Sequence, residues 1–276
     1  MAPATHTAGL TYGFHHAHPV DAMYRAEGYE WSAPASVDLA GAVETFASMP
    51  LLFHPAREWN YSVSTDVLGR LVEVVAGKAL NDVFDELILG PLGMSDTSFG
   101  TPAGEHARLA ALYLPSPSGG LVRNDALGDS VVAPSWLSGG GGLTSTVADY
   151  HRFTQLLRGR GRLDDVRLLG DRTTRYMTMN HLPGDADLAA FGRPLFAEAP
   201  FDGVGFGLGF SVTLDPVATR TLGSRGEFAW GGAASTAFWV DPVEDITVVF
   251  MTQLLPSSTY PLRSQLRQLV YSALVD

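Results

Sequence analysis

After about Ser36 apolar residues recur at helical spacing in several segments, beyond Pro200 they change to alternation, and this change of period divides the chain. Leu39, Val43 and Phe46 share a face of a predicted helix ending near Ser48, with Ser36, Val37 and Asp38 ahead of it as a capping segment. Val67, Leu68, Leu71, Val72 and Val75 mark a second helix over Thr65 to Ala76, and Gly77 stands where a left-handed C-cap is favoured. A third is predicted from Leu80 to Leu89, stopping at Gly90-Pro91. A fourth runs from Val147 to Leu157, capped by Ser145 or Thr146, with Asp149 in its first turn.

Beyond Pro200 the period falls to two. Phe206 to Thr213, Phe228 to Val240 and Asp245 to Thr252 read as strands separated by turns such as Asp241-Pro242, and connections this short imply antiparallel neighbours. In the closing helix, Tyr260 to Asp276, Leu262, Leu266, Leu269, Val270 and Ala273 form an apolar stripe able to cover one sheet face. The pattern predicts one α+β domain over 1–276, with a mainly helical region to 200 and an antiparallel sheet with its terminal helix over 201–276. Met1 to Ser36 reads as an extended loop with one short helix, and Pro115 to Pro134 as an irregular loop at the edge of a site.

Composition narrows the chemistry. A formal charge of −11 argues against nucleic-acid partners and anionic membrane surfaces. Without cysteine there is no thiolate nucleophile and no disulfide, which leaves hydroxyl, imidazole and carboxylate groups. The first residues lack the basic flank and apolar run of a signal peptide, and no stretch reaches the ~18 apolar residues of a membrane helix. The expected compartment is therefore the cytoplasm.

Three features invite a site and are read structurally. His6, His15, His16 and His18, with Asp21 nearby, match no metal-ligand spacing, so no metal is expected. Ser138 to Thr146 holds four consecutive glycines but no lysine after them, so it reads as a tight backbone passage rather than a phosphate cradle, and no cofactor is expected. Ser62, Ser138 and Ser235 lie in no nucleophile motif and read as turn or capping hydroxyls.

The order of several short segments resembles the β-lactamase-like serine hydrolases and penicillin-binding proteins, nearest to their carboxylesterase members. His6-Thr7-Ala8-Gly9-Leu10 is similar to the His-Thr-Ser-Gly-Leu turn of that superfamily, and Trp59-Asn60-Tyr61-Ser62 to its tyrosine motif. Pro91-Leu92-Gly93-Met94 with Asp96-Thr97, and Gly142-Leu143-Thr144-Ser145-Thr146 with Asp149, match two further turns. Trp230-Gly231-Gly232 stands where penicillin-recognising members carry Lys-Thr-Gly.

The resemblance implies a helical region packed on an antiparallel sheet, with the site between them. It implies Tyr61 as general base, Trp230, Gly231 and Gly232 as a substrate wall, and the Ala233 N–H as an oxyanion donor. The family's nucleophile lies in Ser-x-x-Lys. The single lysine here is Lys78, with Val75 three residues before it, so the pattern is missing. The chain thus reads as an amino-terminally truncated relative, lacking the first strands and the nucleophile helix and inactive or nearly so by itself.

Trp230 in place of a cation, and Val63 where many β-lactamases have Asn, point to small neutral esters rather than anionic lactams. The alternative is a non-catalytic binding or assembly protein that retains the cleft. The truncated reading also predicts an exposed sheet edge at Phe228 to Val240, exposed apolar faces at Val67 and Leu71, and either self-association or a complementing amino-terminal segment as partner.

Overall fold

The computed structural model of the chain describes residues 1–31, 33–34, 36–124, 134–193 and 201–275. Its centre is a five-stranded antiparallel sheet of β1 (Val204–Phe206), β2 (Ser211–Thr213), β3 (Phe228–Gly231), β4 (Ala237–Asp241) and β5 (Ile246–Phe250), arranged β5-β4-β3-β2-β1. Helices α1 (Pro19–Ala26), α2 (Leu39–Ser48) and α3 (Ser64–Ala76) build the region that carries the tyrosine motif. This is the α+β architecture that the change of period implies.

Two stretches read as single strands are hairpins. Phe206 to Thr213 turns at 207–210, where Gly209 has φ +89° and Gly207 lies so close to the Met177 carbonyl that a Cβ would stand 2.4 Å from it. Phe228 to Val240 turns at 232–236, closed by the Gly232 N–H donating to Thr236 O (3.0 Å) and by Ser235 at φ +70°. Both resulting strands, β3 and β4, are paired on both sides, so the expected free edge at Phe228 to Val240 is interior. Among the described residues the edges lie instead at β1, which pairs only with β2, and at β5, which pairs only with β4 and whose five residues are all half-buried.

Side chains of β4 alternate between the two sheet faces. Phe238 and Val240 join Phe210, Val212 and Phe228 beneath α5 (Val147–Arg158), which contributes Leu157, Phe153 and Tyr150. Thr146 caps α5 by accepting from the Asp149 N–H. On the opposite face Trp239 stacks with Tyr271 of the terminal helix α6 (Leu262–Ser272). No residue of α6 is buried, and its apolar stripe does not seal the sheet, for Leu269 is 70% exposed. Contact runs through Arg263, Arg267 and Tyr271, one turn apart, because buried acceptors on the sheet draw the polar face inward.

Other departures have local causes. Helix α4 (Leu80–Phe84) does not end the segment at Gly90-Pro91: it passes into a π segment, Asp85–Leu89, then Gly90–Leu92, and left-handed Gly93 ends it. The wider π turn accommodates a proline that lacks an N–H. Within Pro115 to Pro134, Tyr113–Pro115 pairs with Leu121–Arg123 across a turn that Gly119 and Gly120 make at positive φ, while 125–133 lie outside the described residues. On α3 the buried face is Ser64, Asp66 and Gly69, and Leu71 and Val75 are 55% and 80% exposed. Val67 packs partly against the α1–α2 core rather than standing exposed.

The family-like turns serve as fasteners. Gly9 (φ +85°) crosses residues 51–53 so closely that a Cβ would fall 2.3 Å from Phe53 O. The Asp149 carboxylate accepts from the Asp96 N–H (2.7 Å) and Thr97 Oγ1 (2.9 Å), tying the Pro-Leu-Gly-Met turn to the start of α5.

Candidate active site

Tyr61 lies just before α3, held from three directions. The Asn60 N–H donates to His6 O (2.9 Å), Asn60 Nδ2 donates to Leu10 O (2.9 Å), and His15 Nε2–H donates to Tyr61 O (2.7 Å). The buried ring of Trp59 stacks behind it. His6, also buried, touches the Tyr61 ring edge-on at 4.9 Å, and burial holds its imidazole neutral, down at about 3. The histidines therefore diverge: His6 to Ser62, His15 to the Tyr61 carbonyl, His16 to Glu30, and His18 to the cap of α1.

Around the phenol two aromatic side chains converge, Tyr12 with its ring 5.0 Å and Trp230 with its ring 5.4 Å from that of Tyr61. Burial is the largest influence on Tyr61 and disfavours its phenolate, while the polar groups of Trp230 and Tyr12 and the Arg263 charge act in the opposite sense. Burial outweighs them and leaves Tyr61 above its ordinary value; burial raises Tyr12 further, so of the two phenols Tyr61 is the easier to ionise.

Trp230 reaches this point from the end of β3, its ring 5.4 Å from that of Tyr61. Gly231 is glycine because the Arg263 guanidinium crosses it, and a Cβ would stand 2.5 Å from the guanidinium carbon. The Gly232 N–H is committed to Thr236, while its carbonyl accepts from Arg263 Nη2 (2.6 Å). Ala233 is exposed in the turn, and its N–H meets no acceptor among the described residues. Tyr61, Trp230 and Gly231 are thus brought together, with Ala233 at the strand's end. Val63 points elsewhere: it is 2% exposed and packs with Val20, Tyr24 and Phe46.

The sequence gives no local sign of Asp66. Its side chain is buried in the first turn of α3, where Oδ1 accepts from Ser138 Oγ (2.6 Å) and the Gly140 N–H (3.2 Å), while Oδ2 has no partner among the described residues. No basic side chain pairs with it among the described residues, and burial pushes its carboxyl up to about 6 against those hydrogen bonds. The glycine run makes this possible, since a Cβ on Gly139 would meet Thr65 O at 2.5 Å, and one on Gly140 would meet Tyr12 Oη at 3.1 Å and Asp66 Oδ2 at 3.3 Å.

The serines are already engaged. Ser138 serves Asp66, Ser62 is fully buried between His6 and Ser64 Oγ (2.7 Å), and Ser235 donates to Leu254 O (2.6 Å) at 1% exposure.

Residues 4–272 match the model of the Beta-lactamase family. The chain is 37% identical over 257 residues to Protein Rv1367c of Mycobacterium tuberculosis, covering 91% of this chain and 61% of that one. It is 31% identical over 255 residues to Esterase EstB of Burkholderia gladioli, covering 85% and 60%. It thus spans about three-fifths of the length of these relatives. Among solved structures it superposes on EstCE1, a hydrolase with promiscuous acyltransferase activity, with a TM-score of 0.80 and 27% identity, over 98% of this chain and 70% of that one. No helix among the described residues is long and apolar enough to cross a membrane.

Proposed function

The chain belongs to the beta-lactamase family, and from that premise we propose that it is the carboxyl-terminal part of a serine hydrolase of carboxylesterase type. The substrate class is small neutral esters, cleaved through an acyl-serine intermediate. The observation that carries this reading is the convergence of the Trp230 and Tyr12 rings on that of Tyr61, at 5.4 and 5.0 Å. Polar groups beside a phenol that favour its negative form suit a residue that takes the serine proton and returns it to the departing alcohol.

What the site still needs is a cation to overcome burial, and a nucleophile. Both would arrive with a Ser-x-x-Lys segment, which these 276 residues do not contain. The unengaged Ala233 N–H would supply one oxyanion donor, and the serine's own N–H the other. The indole of Trp230 offers a neutral wall, which favours an ester over an anionic lactam. The esterase among the relatives supports the same substrate class.

The test compares the chain alone with the chain joined to the sequence encoded upstream of Met1, using p-nitrophenyl butyrate, benzylpenicillin and a fluorophosphonate label. Steady ester turnover is expected from the joined protein, with little or no penicillin hydrolysis. Tyr61→Phe in that protein should lose about 10²-fold or more in kcat/KM. Stoichiometric labelling and turnover by the chain alone would overturn the assignment and return the search to Ser62, Ser138 and Ser235.

A second reading is a non-catalytic protein that keeps the cleft for binding. It is favoured by the engagement of those three serines and by the upward shift of Tyr61. Its mark would be a joined protein that neither turns over ester nor takes the label.

A further inference from the structure

The terminal helix covers the sheet poorly, yet its first turn reaches the site. Arg263, half-buried at the start of α6, extends to the turn that joins β3 to β4. Its Nη2 donates to Gly232 O (2.6 Å) and to Thr236 O (3.1 Å). These are the two carbonyls that already close the turn, by accepting from the Ser235 N–H (3.1 Å) and the Gly232 N–H (3.0 Å). The guanidinium passes directly against Gly231, where a Cβ would stand 2.5, 2.6 and 2.7 Å from its carbon and two of its nitrogens.

Two features set this contact apart from ordinary packing. A cation in the first turn opposes the helix dipole, and α6 has no acidic residue there to offset it. Residue 231, one position beyond Trp230, must lack a side chain for the guanidinium to pass. The same turn is tied to a second segment: the Leu254 N–H donates to Ala234 O (3.1 Å), and Leu254 O accepts from Ser235 Oγ (2.6 Å). Residues 232–236 are thus clamped twice, and Ala233 within them keeps an N–H that meets no acceptor among the described residues. A donor aimed at a developing oxyanion is most effective when its direction is fixed before the reaction. Against the burial that opposes it, the Arg263 charge also favours the phenolate of Tyr61.

We propose that Arg263 is a positioning residue of the reaction: it clasps the turn that presents the Ala233 N–H and sets a positive charge near Tyr61, which makes α6 part of the site. This rests on the esterase reading of Tyr61 and Ala233. A guanidinium suits the place because it keeps its charge at any working pH and carries several donors on one planar group.

The chain alone tests the clasp, and the joined protein tests the reaction. In the chain, Arg263→Ala should speed amide hydrogen exchange at Gly232 and Ser235 about tenfold or more, with exchange within β4 unchanged. In the joined protein, the same variant should lower kcat for p-nitrophenyl butyrate about tenfold or more and leave KM within about threefold. The rising limb of its pH profile should move to higher pH by about 0.5 or more, because losing a nearby cation makes Tyr61 harder to ionise. Arg263→Lys should restore the limb, since the charge returns. Gly231→Ala should reproduce the Arg263→Ala loss by pushing the guanidinium aside, and the double variant should lose no more than either single one. Should Arg263→Ala not fold, Gly231→Ala supplies the same readings. An Arg263 that only packs would leave kcat and the limb unmoved; that result, or additive losses in the double variant, would overturn the inference. Turn amides that depend on Arg263 in a protein whose joined form hydrolyses no ester would strike the esterase reading while the clasp stands. An active joined protein indifferent to Arg263 would do the reverse.

Discussion

Two buried carboxylates of this chain are treated in opposite ways. Glu227, 1% exposed at the sheet face under α6, pairs with Arg267 and takes a second contact from Tyr271 Oη at 2.5 Å, while Arg267 also lies over the Trp239 ring. Asp66, equally buried beneath the glycine run, receives a hydroxyl and a backbone N–H and, among the described residues, no cation. Compensated charge marks a place built to hold elements together; charge left uncompensated beside two phenols is the kind of perturbation that gathers at functional sites. Fold and site can therefore be told apart by their electrostatics.

The largest expected effect is on the compensated side. Arg267→Met strands Glu227 as a buried, unpaired acid, and should cost about 3–5 kcal/mol in denaturant unfolding at pH 7. Adding Glu227→Gln should recover most of that loss, because it is the uncompensated charge that destabilises. A double variant as unstable as the single one would mean that packing on Trp239, rather than the ion pair, holds α6.

Asp66 should behave with the opposite dependence. Its carboxyl is pushed up to about 6 from an ordinary value near 3.8, so the folded state binds the proton more tightly than the unfolded chain. For a carboxyl shifted in this direction the penalty is absent below pH 4, grows as pH rises from 4 to 6, and is constant above. Asp66→Asn should therefore gain on the wild type by up to about 3 kcal/mol between pH 4 and pH 7. A difference that stays flat with pH would show that Asp66 is compensated in solution.

This contrast explains how much of the molecule was legible in the sequence. Caps and turns could be read because a few adjacent residues determine them: Asp38 caps α2, Thr146 caps α5, and Gly77 ends α3 at φ +65°. Tyr61 and Trp230 came from a resemblance, and the fold does bring their rings together. Asp66 and Tyr12 gave no such sign, because their roles depend on Ser138 and Gly140, more than seventy residues further along the chain from Asp66. The position of the sheet edges was equally hidden, since β1 and β5 become edges only through the order in which the strands pair. On α6 the apolar stripe misled because Glu227 and the Gly232 and Thr236 carbonyls call for donors, and only the arginine–tyrosine face provides them.

The smallest effect on stability, and the sharpest test of the outer surface, lies on α3. Its inward face carries Asp66 and Gly69, while Leu71, Val74 and Val75 stand 55%, 62% and 80% exposed. Exposed residues bury little when the chain folds, so Leu71→Lys with Val75→Lys should change the unfolding free energy by no more than ~0.5 kcal/mol for each site. An apolar patch of this kind favours association nonetheless, as does the open edge at β5. Sedimentation velocity should show the wild type self-associating and the double lysine variant moving towards monomer, with salt having little effect because the contact is apolar. A wild type that is already monomeric would remove association from this face. Association that persists unchanged in the lysine variant would assign it to the β5 edge, where a proline at Val248 would be the corresponding break, since it removes a backbone donor and disfavours strand pairing.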